Sequence, residues 1–190
     1  MGGGAKAVAD ALGCSTQEAM KFVKAYSEGF KGIAEFKKKG SAFVRKFGYV
    51  LICKHTGLKL FWEDFKKWRA IEDLPIEIQE KEYSSYELGI HKSDAAKWDR
   101  MALNSPTQGT GAEIIKLSAI IFFNWIVQNG YFGKILICNM VHDEIVVEFP
   151  EELKDIVPEK LRLSMEKAAS YLCKALPIPA CPEVGKYWIH

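Results

Sequence analysis

The chain has 190 residues, 48% of them hydrophobic and 12% aromatic, which is enough apolar side chain to bury a substantial core and excludes a disordered polypeptide. The formal charge of +2 is too small to mark a polyanion partner, but residues 1–50 hold nine Lys or Arg against four acids, so that lobe is locally basic. Cys14, Cys53, Cys138, Cys173 and Cys181 form neither a CxxC pair nor a zinc-type spacing, and with no signal-peptide core behind Met1 they read as reduced thiols of a cytoplasmic protein.

Gly2-Gly3-Gly4 nucleates no element; it is either an added leader or the tail of an element lying upstream. A helix is expected over Ala5–Leu12 with Gly13 as its stop, and a second, reaching to about Ser27, opens on Ser15-Thr16-Gln17-Glu18, a capping box. The third, over Gly32–Phe47, carries Ile33, Phe36, Phe43, Val44 and Phe47 as an apolar stripe, with most of its lysines elsewhere. Tyr49–Ile52 and Leu58–Phe61 are paired strands around a His55-Thr56-Gly57 turn, and Trp62–Trp68 is helical. Ala70–Ile90, interrupted by Pro75 and Gly89, reads as an irregular connection with at most one short helix.

A short helix is expected over Asp94–Leu103 and a long one from Pro106 to about Asn129, ended by Gly130. Its apolar stretch 114–127 is interrupted by Lys116, Ser118 and Asn124, so no membrane span is expected. Ile135–Cys138 and Ile145–Val147 flank Val141-His142-Asp143-Glu144, which predicts an antiparallel hairpin presenting its polar centre. The last helix, over Glu151–Leu176, contains Pro158, so it either starts there or kinks.

Two features carry chemistry. The adjacent Asp143 and Glu144 suit a hard cation, since Mg²⁺ is commonly held by one or two protein carboxylates together with substrate phosphates and water. The competing reading is a solvated polar turn. Arg100, Asn104 and Gln108 recur every four residues and stack on one helical face if the helix continues through Pro106; Arg suits phosphate or a base edge, Asn and Gln the minor groove. Taken alone, that trio also fits a solvated polar face.

Arg100-Met101-Ala102-Leu103-Asn104-Ser105-Pro106-Thr107-Gln108-Gly109-Thr110, with Ala112, Ile115 and Lys116, followed further on by Val141-His142-Asp143-Glu144, resembles the C-terminal palm of family A DNA polymerases, the second stretch being motif C. At lower specificity, the segment from Ala5 to Val50 is similar to the family's fingers helices, Thr56–Lys59 to its short strand pair, and Gly185-Lys186-Tyr187-Trp188 with terminal His190 to its closing segment. The resemblance implies an α+β fold, a helical fingers portion followed by an antiparallel palm hairpin packed on long helices. It divides the chain into residues 1–69 as partial fingers and strand pair, 70–92 as connection, and 93–190 as partial palm.

It also implies a template-directed DNA polymerase, adding deoxynucleotides to a primer 3′ end by two-metal phosphoryl transfer. Asp143 is then the Mg²⁺ ligand, Glu144 and His142 complete the catalytic set, and Arg100, Asn104 and Gln108 contact DNA. Implied partners are primer-template DNA, deoxynucleoside triphosphates and a missing N-terminal polymerase part. The family's other catalytic Asp, in motif A, and its triphosphate-binding helix are not found in these 190 residues, so the isolated chain is expected to be inactive. An uncovered palm edge favours homo-oligomers. The alternatives are a catalytically incompetent DNA-binding module and, less favoured, a metal-dependent nuclease using Asp143 and Glu144.

Overall fold

The computed structural model describes residues 5–188; Gly2-Gly3-Gly4 and His190 lie outside them. By internal packing the chain divides into two compact units, 1–107 and 108–190.

In the first unit, α1 (Ala5–Leu12) stops at Gly13, whose φ of 63° is the left-handed conformation that glycine adopts without strain. The next helix, α2 (Thr16–Gly29), starts on the expected box: Ser15 Oγ accepts from the Glu18 amide at 3.3 Å while Glu18 accepts from the Ser15 amide at 3.0 Å. α3 (Lys31–Phe47) ends at Gly48, φ 71°, and leads into the antiparallel strands β1 (Tyr49–Leu51) and β2 (Lys59–Phe61), in register Tyr49↔Phe61 and Leu51↔Lys59. The predicted stripe of α3 is only partly used: Val44 is fully buried, whereas Ile33, Phe36 and Phe47 are exposed. The reason is local, because α1 and α2 bury little beyond Ala9 and Ala19 and so offer α3 no deep groove.

The core of this unit lies instead beneath the ribbon, where Val44, Val50, Trp62, Trp68, Ala95 and Trp98 pack together. Trp62 stacks on Trp98 at 5.4 Å and its Nε1 donates to Asp94 at 2.8 Å, so the indole is buried with its polar atom satisfied. Trp98 and Asp94 belong to α6 (Ser85–Gln128), which is preceded by α4 (Phe65–Glu72) and α5 (Ile76–Glu82).

Residues 70–92 are thus largely helical, not an irregular connection. Pro75 sits at the N-terminus of α5, where its missing N–H costs nothing, and Ser84 caps α6 in a second capping box, its Oγ accepting from the Glu87 amide at 3.3 Å. The two helices expected over 94–103 and 106–129 are one. Pro106 stands inside α6 and removes the hydrogen bond to the Ala102 carbonyl; a Cβ placed on Gly40 of α3 would lie only 3.3 Å from that oxygen, so the freed carbonyl is covered by closely packed backbone. Bidentate hydrogen bonds from Arg45 to Asp99, 3.0 and 2.6 Å, and a hydrogen bond from Ser41 to the same carboxylate join α3 to α6.

In the second unit, the C-terminal part of α6 buries Phe122 and Ile126 against Ile135, Val157 and the inner side chains of a second ribbon, Ile137 and Val147. That ribbon is β3 (Leu136–Val141) paired antiparallel with β4 (Glu144–Glu148). By length and composition alone α6 is apolar enough to cross a membrane, with 22% of its most apolar window buried. Within that stretch Ser118 and Phe122 are fully buried, while Ile120, Phe123 and Val127 are exposed. After a 3₁₀ turn at Glu151–Leu153, α7 (Val157–Leu172) begins with Pro158 in its first turn, so the proline starts this helix rather than kinking it. The architecture is α+β, helices with two small antiparallel ribbons, as the sequence predicts.

Candidate metal and nucleic-acid site

The hairpin forms because Ile135, Ile137 and Val147 alternate onto the apolar side of the ribbon while the intervening positions face outward. Its register closes at Val141↔Glu144, which leaves His142 and Asp143 as a two-residue turn. His142 has φ 52° and is the one non-glycine residue in the left-handed region among those described; this position in a hairpin turn is usually glycine. The turn therefore holds a side chain where backbone economy would remove one.

Asp143 and His142 are exposed and Glu144 is half-buried. Trp188 Nε1 donates to Glu144 Oε2 at 3.3 Å. Nothing local announces that contact, since the two residues are 44 positions apart. The turn can thus present one open carboxylate, Asp143, beside a second, Glu144, that accepts a hydrogen bond from an indole N–H. No group of three or more His, Cys, Asp or Glu side chains able to hold a metal occurs among the described residues. The donor set accordingly fits a share of an Mg²⁺ site, one or two carboxylates with the remaining positions left to phosphate and water, and does not make a self-sufficient cage.

Arg100, Asn104 and Gln108 all lie on α6, which runs through Pro106. Arg100 and Gln108 are exposed and Asn104 is half-buried. Arg100 and Asn104 fall in the first unit and Gln108 at the start of the second. Ala102 and Trp98, on other sides of the helix, are buried in the core, which fixes the rotation of α6 in the first unit and leaves Arg100 facing solvent.

The chain matches the model of DNA polymerase family A over residues 1–190. It is 31% identical to DNA polymerase I of Caldicellulosiruptor bescii over 92% of its length and 17% of that protein. It is 32% identical to DNA polymerase I of Borreliella burgdorferi over 95% of its length and 17% of that protein, and 29% identical to that of Aquifex aeolicus over 90% and 29%. The chain therefore spans between about a sixth and under a third of the length of these relatives. Among solved structures, the POL domain of Pol1 from M. smegmatis, in complex with DNA primer-template and dNTP, superposes with a TM-score of 0.64 at 24% identity, covering 88% of this chain and 25% of that one, a likeness of fold. With its full length matched by the family model and relatives above 30% identity across more than nine-tenths of it, this chain belongs to DNA polymerase family A.

Proposed function

We propose that this chain provides the motif C part of a template-directed DNA polymerase, in which Asp143 is a ligand to Mg²⁺ and the partners are primer-template DNA and deoxynucleoside triphosphates. The observation that carries the reading is the exposed Asp143 carboxylate on a two-residue turn, beside a Glu144 that accepts from Trp188, within a chain belonging to this family. When bound, the divalent ion stabilises charge on the attacking primer oxygen and on the transferred phosphate. The chain's own residues do the positioning. Glu144 supports the metal ligand, His142 stands beside the primer end, and Arg100, Asn104 and Gln108 contact the DNA backbone and minor groove.

We further propose that the isolated chain does not extend a primer. Two-metal transfer needs carboxylates on both sides of the ion pair, and the described residues include no third acid beside Asp143 and Glu144. Incubating the purified chain with primer-template, deoxynucleotides and Mg²⁺ is expected to leave the primer unchanged; extension that disappears in Asp143→Ala would overturn this. Mg²⁺ binding by the chain is expected to be weak and to be lost in Asp143→Ala with no change in thermal stability, readable by paramagnetic Mn²⁺ broadening of the Asp143 and Glu144 resonances. Broadening centred elsewhere would refute the assignment of the ligand.

A second reading, a DNA-binding module without catalysis, is favoured by the basic first lobe. It predicts duplex affinity that falls steeply as salt rises, and absent or salt-independent binding removes it.

A further inference from the structure

The outward face of the first ribbon carries no part of the core beneath it, yet it is aromatic. Phe43 and Phe47 of α3 stand 4.7 Å apart, Phe43 meets Tyr49 edge-on at 5.2 Å, and Tyr49 pairs across the strands with Phe61 at 5.7 Å. The inward face of the same ribbon, Val50 and Leu60, already supplies the packing on the tryptophan cluster. The outer rings are consequently left in water: Phe61 is 67% exposed and Phe47 48%. A cross-strand aromatic pair contributes to ribbon stability, but two strongly exposed phenylalanines exceed what a three-residue strand pair needs.

Cations are interleaved with these rings. Lys59 Nζ lies 4.7 Å from the Tyr49 centroid and Lys46 Nζ 5.3 Å from that of Phe47. Residues 31–69, which build this surface and its surroundings, hold eleven Lys or Arg against three acids, Glu35, Glu63 and Asp64. The pairs Lys39–Glu35, Arg45–Asp99 and Arg69–Asp73 use up three of those cations, and Lys46 and Lys59 make no carboxylate pair among the described residues. A surface of flat rings with an excess of positive charge is complementary to a polyanion that carries flat, exposed faces of its own.

We propose that the outer face of the β1/β2 ribbon, with Phe47 of α3, is a docking platform for single-stranded DNA: bases stack on Phe61 and Phe47 while Lys46 and Lys59 meet the flanking phosphates. Duplex DNA is a poorer occupant because its base faces are already stacked on one another. The choice of DNA over RNA rests on the polymerase reading above; the choice of an unpaired strand rests on the rings and lysines alone.

The test uses the whole chain and fluorescein-labelled oligothymidine, followed by fluorescence anisotropy across a salt series. Phe61→Ala and Phe47→Ala are each expected to weaken binding about tenfold, and Phe61→Trp to preserve it. Lys59→Gln is expected to lower the slope of log affinity against log salt by about 0.7, a change the ring variants do not produce. Both rings are solvent-facing, so circular dichroism of the variants matches the parent. Asp143→Ala does not weaken the oligonucleotide complex, so failure of the catalytic assignment and failure of this platform are separately visible. The proposal is overturned by absence of binding, by equal binding of an abasic sugar-phosphate oligomer, by a hairpin duplex that competes as well as oligothymidine, or by ring variants that bind like the parent. The last two results would leave charge alone, or a protein partner, as the use of the surface.

Discussion

The two ribbons solve the same problem in opposite ways. β1/β2 has only three residues per strand, too few for a free-standing hairpin, and it persists because Val50, Leu60 and the adjoining Trp62 are packed into a core of tryptophans. β3/β4 is longer and contains no fully buried residue within its strands; it is held by its own pairing, a tight turn and the packing of Ile137 and Val147 on the buried Phe122 and Ile126. The short ribbon is dictated by its surroundings and ends in a broad loop. The long one is more self-sufficient, and that leaves its turn exposed to carry the unusual backbone of His142 and the open carboxylate of Asp143. Packing supplies stability in one, and accessibility supplies chemistry in the other.

The strongest way to break this contrast is to remove the support under the long ribbon. Phe122→Ala leaves a cavity where Ile135 and the ribbon's apolar side chains meet, and is expected to cost about 3–5 kcal/mol by urea denaturation. Next is the entry to the short ribbon. A Cβ on Gly48 would overlap the Phe65 ring, and its φ of 71° is disfavoured for alanine, so Gly48→Ala should cost about 3 kcal/mol and loosen near-ultraviolet dichroism from the tryptophans.

Asp99→Ala strands the partly buried Arg45 and frees Ser41, with an expected loss of about 2 kcal/mol. The same group sets an acid limit. Burial alone would raise the Asp99 carboxyl, but hydrogen bonds from Arg45 and Ser41 outweigh it and hold the carboxyl below its ordinary range. Its contribution is therefore complete above the unfolded value of about 3.9 and is lost as the pH falls through the lower folded value, a loss that Asp99→Asn removes from the stability profile. The smallest effect sharpens the contrast from the other side: His142→Gly relieves the left-handed backbone and should raise stability by about 0.5 kcal/mol while leaving the ribbon's register unchanged by NMR.

Much of this was legible along the chain. The Ser15 box, Gly13 and Gly130 as stops, and the hairpin around Asp143 are local signals, each satisfied within a few residues, and each is found where expected. The same kind of signal stands at Ser84 and Glu87, inside a stretch whose acids and tyrosines mask it, so the sequence predicts a connection and two helices where one 44-residue helix is found. Pro106 favours the same division. Proline disfavours a helix interior by about 3 kcal/mol, and only the tertiary structure shows α6 continuing through this one, with Gly40 of α3 packed beside the Ala102 carbonyl.

The chain order of residues was sufficient to specify the α+β class, the helix caps, the polar turn and the family to which those motifs belong, because each depends on spacing within one element or on residue types in sequence. Tertiary structure alone decided which apolar positions are buried, so that Val44 enters the core while Ile33 and Phe36 of the same stripe stay outside. It likewise decided that Trp188 reaches back to Glu144 and that the aromatic face of the first ribbon is left to solvent. Those outcomes depend on what other segments bring to the same place, and no periodicity along one segment records that.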